Sequence, residues 1–262
     1  MSLTAVEHFN KIVEKYESAT GGATRELAQH AISSIADLKP LTSESKILDN
    51  ACGTGIVTDI ILNSGMQPEI HAVDVAENMV SIARREKLCF PEDTFTQSVT
   101  NLGIMYFTDP SKGVQEIART LRPDGVAVVT GWTMMGHIKM IQEVQAQIRP
   151  DDAPFKPPMP EIWLDPEHTK ALLSDAGLDV QSTTSVDVYL GDETAEGVAD
   201  LLIHGFGAKV FASWNEEERE KGAAVMKKIV WEPAVAFTRP SGSGVGIKVT
   251  GAIFIARKES GL

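Results

Sequence analysis

The sequence predicts an α/β protein: a Rossmann-like three-layer sandwich with a mostly parallel sheet and an antiparallel terminal hairpin. Three observations carry this. The stretch Ile47–Leu62, ILDNACGTGIVTDIIL, runs from an apolar strand through a small-residue turn into residues at helical spacing. Two more apolar runs, Ile70–Asp74 and Val126–Thr130, are each bounded by turn residues. Helical patterns of about ten residues separate the runs, the spacing of βαβ units.

In chain order, residues 4–18 place Val6, Phe9, Ile12, Val13 and Tyr16 on one helical face, and Thr20-Gly21-Gly22 ends that helix. A second helix is expected over 24–36, then a loop at Pro40 and Thr42/Ser43/Ser45. The first strand is Lys46–Asp49. A helix follows over Val57–Asn63, stopped by Gly65, then the strand Ile70–Asp74 and a helix over Ala76–Arg85. Thr94–Leu102 is strand-like, Gly113–Leu121 is helical up to Pro123-Asp124-Gly125, and Val126–Thr130 is a buried strand.

The second half is less regular. Residues 149–160, RPDDAPFKPPMP, hold five prolines and read as a loop. Asp165-Pro166-Glu167 is a helix start, with a capping acid and proline at the first position, and that helix ends at Gly177. Val180–Leu190 reads as a strand, 194–210 and 216–230 as helices. Asn215 with Glu218 resembles a capping box, and Gly246–Arg257 is a long β-rich run. The expected organisation is one domain over 1–262, with N-terminal lid helices in 1–40 and a cap-like substrate region in about 133–230.

Composition narrows the function classes. Hydrophobic residues are 43% of the 262, enough for a full core. A net charge of −12 repels phosphate backbones and anionic lipids, so neither nucleic acid nor membrane is an expected partner. Two cysteines, Cys52 and Cys89, make no disulfide framework. With no apolar signal core or spanning run, the expected location is the cytoplasm. The six histidines do not pair at metal-ligand spacing, so no metal is expected. His137 falls near the expected active-site mouth, where a surface or capping role competes with that of a general base. Nothing in the sequence fixes an oligomeric state.

The glycine turn after the first strand admits three nucleotide readings. A phosphate-binding P-loop needs Gly-Lys-Ser/Thr, and here Ile56 and Val57 follow Gly55. A dinucleotide fingerprint needs a third glycine, and Thr58 stands there, which weakens a nicotinamide-dependent oxidoreductase. The third reading is S-adenosyl-L-methionine (SAM), which has no phosphate. Glycines let the backbone approach its ribose and amino-acid tail. Asp49 can meet the cationic amino group. Asp74, 19 residues after Gly55, can accept hydrogen bonds from the ribose hydroxyls. Both acids sit at carboxyl ends of parallel strands, where open α/β sheets bind ligands.

The motifs LDNACGTG, AVDVAENMVSIAR, FPEDTFTQSVTNLGIMYFTDP and EIARTLRPDGVAVVTGW resemble, in order and spacing across residues 46–132, those of class I SAM-dependent methyltransferases. YESATGGATRELA and the later tryptophan- and proline-rich loops resemble fungal natural-product methyltransferases, such as the thiol methyltransferases acting on gliotoxin-type epidithiodiketopiperazines. The resemblance implies that Asp49, Ala51, Gly53 and Gly55 line the SAM tail and ribose, and that Asp74 holds the ribose hydroxyls. It implies that Val75 and Met79 pack on the adenine, that Asn101 lies beneath the methionine moiety, and that Tyr16 closes over the cofactor from the lid. Trp132 and Trp163 are substrate-pocket candidates, with core packing as the competing reading.

One departure stands out. Between Met79 and Phe95 the chain lacks room for the third edge strand and acidic loop of those enzymes: SIARREK runs straight into LCFPEDTF, on the order of 20 residues short. The shortfall is a stretch left out of this sequence, a deletion or splice difference, or a shed edge strand. A real deletion removes a wall of the adenine pocket and is expected to weaken SAM binding by roughly 1.5–3 kcal/mol.

The implied function is methyl transfer from SAM to a small-molecule acceptor, a thiol, phenol or amine of secondary metabolism. No residue announces itself as a base, which suits an acceptor that ionises easily. The competing class is a methyltransferase-like protein that has lost catalysis and serves a regulatory or binding role.

Overall fold

The computed structural model describes residues 16–36, 38–74, 90–157, 159–240 and 242–259. The expected helix over Ala76–Arg85, the short segment before Phe95 and the sites at Val75 and Met79 lie outside the described residues, as does most of the helix over 4–18.

Seven described strands form one sheet. They are β1 (Lys46–Asn50), β2 (Glu69–Val73), β3 (Phe95–Thr100), β4 (Leu121–Met135), β5 (Leu178–Asp192), β6 (Val235–Arg239) and β7 (Gly242–Lys258). The order is β2-β1-β3-β4-β7-β5. β1 pairs in parallel with β2 and β3, and β3 with β4. β7 runs antiparallel between β4 and β5. β6 pairs with Gly242–Gly246 of β7, beyond the stretch that pairs with β4. The fold is a mixed Rossmann-like sheet, parallel from β2 to β4 and antiparallel from β4 to β5. Among the described residues β2 is its edge.

The helices are α1 (Tyr16–Ala19), α2 (Ala23–Ile35), α3 (Ile56–Asn63), α4 (Pro110–Thr120), α5 (Gly136–Ile148), α6 (Pro166–Asp175), α7 (Ala195–Leu201), α8 (Ala208–Ala212) and α9 (Glu216–Trp231). The step β1-α3-β2 moves one way across the sheet and β3-α4-β4 the other. Right-handed crossovers therefore put α3 and α4 on opposite faces, where α2 joins α3 and α6 joins α4. Apolar positions of both layers, including Leu27, Ile47, Leu48, Phe95, Ile117, Val128 and Phe254, are buried in one core. No described helix is long and apolar enough to cross a membrane.

The capping signals operate as the sequence reads. Asp165 accepts from the Glu167 amide, and Asn215 and Glu218 form a reciprocal capping box. Three elements differ from the sequence reading. The strand expected over Val126–Thr130 extends to Met135 because β7 supplies a partner as far as Val249. The helix expected over 194–210 is interrupted by a π-helical turn, Leu202–Phe206, closed by the Gly207 amide donating to the Leu202 carbonyl at 2.7 Å. Gly205 and Gly207 weaken the α-helical alternative there. α5 begins on Gly136 with no side-chain cap, so it lacks a start signal.

The region from 136 to 234 is two insertions, one before α6 and one after β5, which meet where α5 packs on α9. Arg149 ties them together, donating to Glu218 at 2.7 Å and to the Ser213 carbonyl at 3.2 Å.

The expected helix break at Thr20-Gly21-Gly22 is a docked turn. Gly21 (φ 53°) and Gly22 (φ 75°) are both left-handed, and Gly22 precedes α2. A Cβ on Gly21 would lie 2.6 Å from the Gly191 amide nitrogen, and one on Gly22 2.4 Å from a guanidinium nitrogen of Arg239. Gly191 donates to the Gly21 carbonyl at 3.1 Å, so the turn lies on the end of β5.

Candidate functional site

The carboxyl ends of β1, β2 and β3 lie side by side, and the chain turns sharply at two of them. After β1, Ala51 (φ 56°), Gly53 (φ 53°) and Gly55 (φ 84°) are left-handed. Ala51 is the costly one, because a side chain is disfavoured there. The turn is held by the Cys52 amide donating to the Val73 carbonyl at 3.0 Å and the Gly55 amide to the Cys52 carbonyl at 2.8 Å. Among the described residues, a Cβ on Gly55 would meet nothing within 4 Å.

Asp49 sits beneath this turn, only 1% exposed. Its Oδ2 accepts from the Thr58 amide at 3.1 Å and the Thr58 hydroxyl at 2.7 Å. Thr58 is the third residue of α3, so the strand carboxylate caps a helix whose own N-cap, Gly55, has no side chain. Its Oδ1 is buried and has no partner among the described residues. Burial pushes the carboxyl up to about 6, against the pull of the two Thr58 hydrogen bonds, with the Asp74 charge adding to the rise. A buried, half-satisfied carboxylate is where a cationic ligand group is worth most.

Asp74 follows β2, and its Oδ2 accepts from the Gly53 amide at 2.8 Å. The second acid thus fastens the glycine turn to the neighbouring strand, a role the sequence reading does not include.

Asn101 follows β3. Its Oδ1 accepts from the Thr130 hydroxyl at 2.8 Å, and its Nδ2 donates to the Thr24 carbonyl of α2 at 3.4 Å. It therefore links β3, β4 and α2. Arg25 adds a second link, donating to Glu17 at 2.5 Å and Asp59 at 2.6 Å; this exposed pairing contributes little stability.

Gly103 is a site residue that sequence reasoning missed. A Cβ there would lie 2.4 Å from Cβ of Ala51 and 3.2 Å from Cγ2 of Thr100. The loops after β1 and β3 touch at this point, and the only sequence trace is a glycine two residues past Asn101. Gly103→Ala is expected to destabilise the fold by about 1–3 kcal/mol and to displace the Ala51 turn, checked by thermal unfolding together with calorimetric titration of S-adenosylhomocysteine.

The structure brings Asp49, Ala51, Gly53, Gly55, Asp74 and Asn101 to one end of the sheet. Tyr16 opens α1. Trp132 lies on β4, half-buried and packed against the core. Trp163 lies in a 3₁₀ turn, Glu161–Leu164, buried edge-on to His168 at 4.7 Å. The two tryptophans are on separate elements, and Trp163 is 6% exposed. His137 is 1% exposed, so the surface role is corrected: the first turn of α5 packs into the interior.

Residues 48–129 match a family model described as "Methyltransferase domain", and these bounds enclose the glycine turn and both acids. An uncharacterized protein of Mycobacterium tuberculosis (strain ATCC 25618 / H37Rv), Rv1405c, is 22% identical over 181 residues, 64% of this chain and 66% of that protein. Methyltransferase ucsB of Acremonium sp is 27% identical over 180 residues, 57% of this chain and 62% of that protein. The chain thus spans just under two thirds of the length of these curated relatives. Among solved structures, the [4+2]-cyclase SpnF superposes with a TM-score of 0.60 at 16% identity, over 100% of this chain and 98% of that one. The structural likeness shows the fold, and the family match falls on the parallel half of the sheet.

Proposed function

We propose that this chain is a SAM-dependent methyltransferase acting on a small organic acceptor. The observation that carries the reading is the buried Oδ1 of Asp49, unpartnered among the described residues, beneath a glycine turn where a Cβ on Gly55 would meet none of them within 4 Å. That donor set fits SAM: a carboxylate for the amino group, and a side-chain-free turn for the ribose and tail. Bound SAM supplies a methyl group already activated by its sulfonium.

The chain's own residues bind and orient. Asp49 holds the cationic tail, with Thr58 fixing the rotamer of the carboxylate. Ala51, Gly53 and Gly55 line the tail and ribose. Asp74 keeps the turn in register and meets the ribose hydroxyls. Asn101 seats the methionine end and ties it to α2. Positioning of the nucleophile supplies most of the remaining catalysis. The domain runs from a lid in 1–40 to a substrate-binding cap in about 133–230, with Trp132 and Trp163 on the acceptor side.

The acceptor we favour is a small secondary metabolite carrying a thiol, phenol or amine. The resemblance of YESATGGATRELA and the later loops to fungal thiol methyltransferases supports this. The net charge of −12 supports a small-molecule rather than a nucleic-acid partner, and two cysteines in 262 residues suit a reducing, cytoplasmic setting.

A second reading, a methyltransferase fold that does not transfer methyl groups, is favoured by the likeness to the cyclase SpnF. Titration with S-adenosylhomocysteine, after intact mass confirms the chain, separates binding from its absence. Micromolar affinity is the expected result. Conversion of SAM with a panel of thiol, phenol and amine acceptors then separates transfer from binding alone, and no detectable affinity would sink the proposal.

A further inference from the structure

Within the buried run from 126 to 131 of β4, Thr130 carries the only polar side chain, and it is 0% exposed. A hydroxyl buried that deeply has to be paired. The pairing of β3 with β4 stops one residue earlier, at Thr100 and Val129. Past that height the Thr130 side chain takes over from the backbone ladder. The Leu102 amide donates to its hydroxyl at 2.9 Å, and the hydroxyl donates to Oδ1 of Asn101 at 2.8 Å. One side chain of β4 thus holds both residues next after Thr100, the last residue of β3.

The polarity of this network is fixed from outside it. The Thr24 carbonyl of α2 can only accept, and Nδ2 of Asn101 donates to it at 3.4 Å. The Asn101 amide is therefore turned with its oxygen toward Thr130, and the Thr130 proton goes to that oxygen. A lone pair of the same hydroxyl takes the Leu102 amide.

The backbone held in this way is strained. Leu102 has a φ of 55°, the left-handed region that a side chain resists. Such a backbone persists only where its surroundings hold it, and Thr130 supplies the acceptor for the Leu102 amide. The next residue, Gly103, lies against Ala51, which is left-handed as well at φ 56°. The turn after β3 therefore braces the glycine turn after β1, and Thr130 anchors the brace.

We propose that Thr130 is a positioning residue for the cofactor: its hydroxyl sets the orientation of Asn101 and, through Leu102 and Gly103, the position of the Ala51 turn, and so governs affinity for SAM from one layer behind the site. This deepens the methyltransferase reading and rests on it. In sequence Thr130 is only the last residue of an apolar run.

Calorimetric titration of S-adenosylhomocysteine into the full chain and two variants separates this role from packing. Thr130→Val keeps the shape and removes the hydroxyl. Thr130→Ser keeps the hydroxyl and removes a buried methyl group, so both variants are expected to melt below the wild type. We expect Thr130→Val to weaken affinity about tenfold and Thr130→Ser to stay within about twofold of the wild type. In an Asn101→Ala background the valine should cost less, because the two residues act through one contact. Amide exchange gives a direct signature: Leu102 should exchange faster in Thr130→Val, with Val99 in the β3 ladder as in the wild type. The inference is overturned if Thr130→Val binds as the wild type does, if Thr130→Ser loses as much affinity as Thr130→Val, or if the effects of Thr130→Val and Asn101→Ala simply add. A Thr130→Val chain that does not fold assigns the hydroxyl to the core and overturns it too. A folded wild type that binds no S-adenosylhomocysteine overturns the methyltransferase reading, and this inference falls with it.

Discussion

Asp49→Asn is expected to weaken S-adenosylhomocysteine binding by about 10- to 100-fold, the worth of one charge-assisted hydrogen bond, while leaving the free protein as stable as the wild type or more so at neutral pH. The two effects have one cause. Asp49 is buried with only Oδ2 satisfied, and its carboxyl is raised to about 6 from an ordinary 3.8. Between those values the folded chain holds a proton that the unfolded chain has released. Stability from this group therefore falls as pH rises through the window, by on the order of 3 kcal/mol, and above pH 6 the charge stays buried at a cost. Asparagine keeps an acceptor for Thr58 and removes the charge. A cationic ligand group reverses the preference, because it favours the ionised carboxylate. Wild-type affinity should then fall about tenfold per pH unit below 6 and level off above it, with release of a proton on binding in acid. Asp49→Asn should flatten that profile. Calorimetric titration between pH 5 and 8, in buffers of different ionisation enthalpy, measures both; a wild-type affinity flat across this range would remove Asp49 from the ligand's amino group.

The parallel half of the sheet was legible because its signals are local. A strand, a small-residue turn and a helix in one sixteen-residue stretch place Asp49, Gly53 and Gly55 without reference to anything distant. Asp74 and Asn101 follow from the same rule, as residues just past carboxyl ends of parallel strands. Non-local features left weaker traces. That Asp74 accepts from the Gly53 amide, or that Gly103 must stay bare beneath Ala51, depends on the approach of loops far apart in sequence. β6 and the last five residues of β4 are strands because β7 is long enough to pair with both, at different heights. The π-turn is visible in sequence only as two glycines in a helical pattern, and the helical periodicity of 194–210 outweighed them. His137 reads as an ordinary helix-start histidine until the packing of α5 buries it.

Arg239→Ala is expected to cost roughly 3–5 kcal/mol, a fall in melting temperature on the order of 10 °C for a chain of this size, and to loosen α1 and α2. Arg239 ends β6, more than two hundred residues from the element it holds. Its Nε donates to Glu26 of α2 at 2.8 Å, with the two side chains 10% and 13% exposed. Its Nη1 donates to the Gly21 carbonyl at 2.7 Å, and its Nη2 to the Tyr189 carbonyl. Glu26 also accepts from the Tyr189 amide at 3.1 Å. The guanidinium lies 4.2 Å from the centre of the Phe237 ring, which stacks on Tyr189. Removing the arginine leaves a nearly buried carboxylate and two carbonyls short of donors, the situation in which breaking an ion pair is costly. The double variant Glu26→Leu/Arg239→Met should recover most of the loss, because no charge is then stranded. The consequence for binding follows from the next residues of α2: Thr24 accepts from Asn101, and Gly21-Gly22 set the angle at which α2 leaves α1. A loosened turn should therefore weaken S-adenosylhomocysteine and speed amide exchange across 16–35, with β1 and β3 unaffected. If Arg239→Ala lowers the melting temperature but leaves both binding and exchange across 16–35 as they were, the clamp stabilises the sheet edge alone and has no part in holding α2 against Asn101.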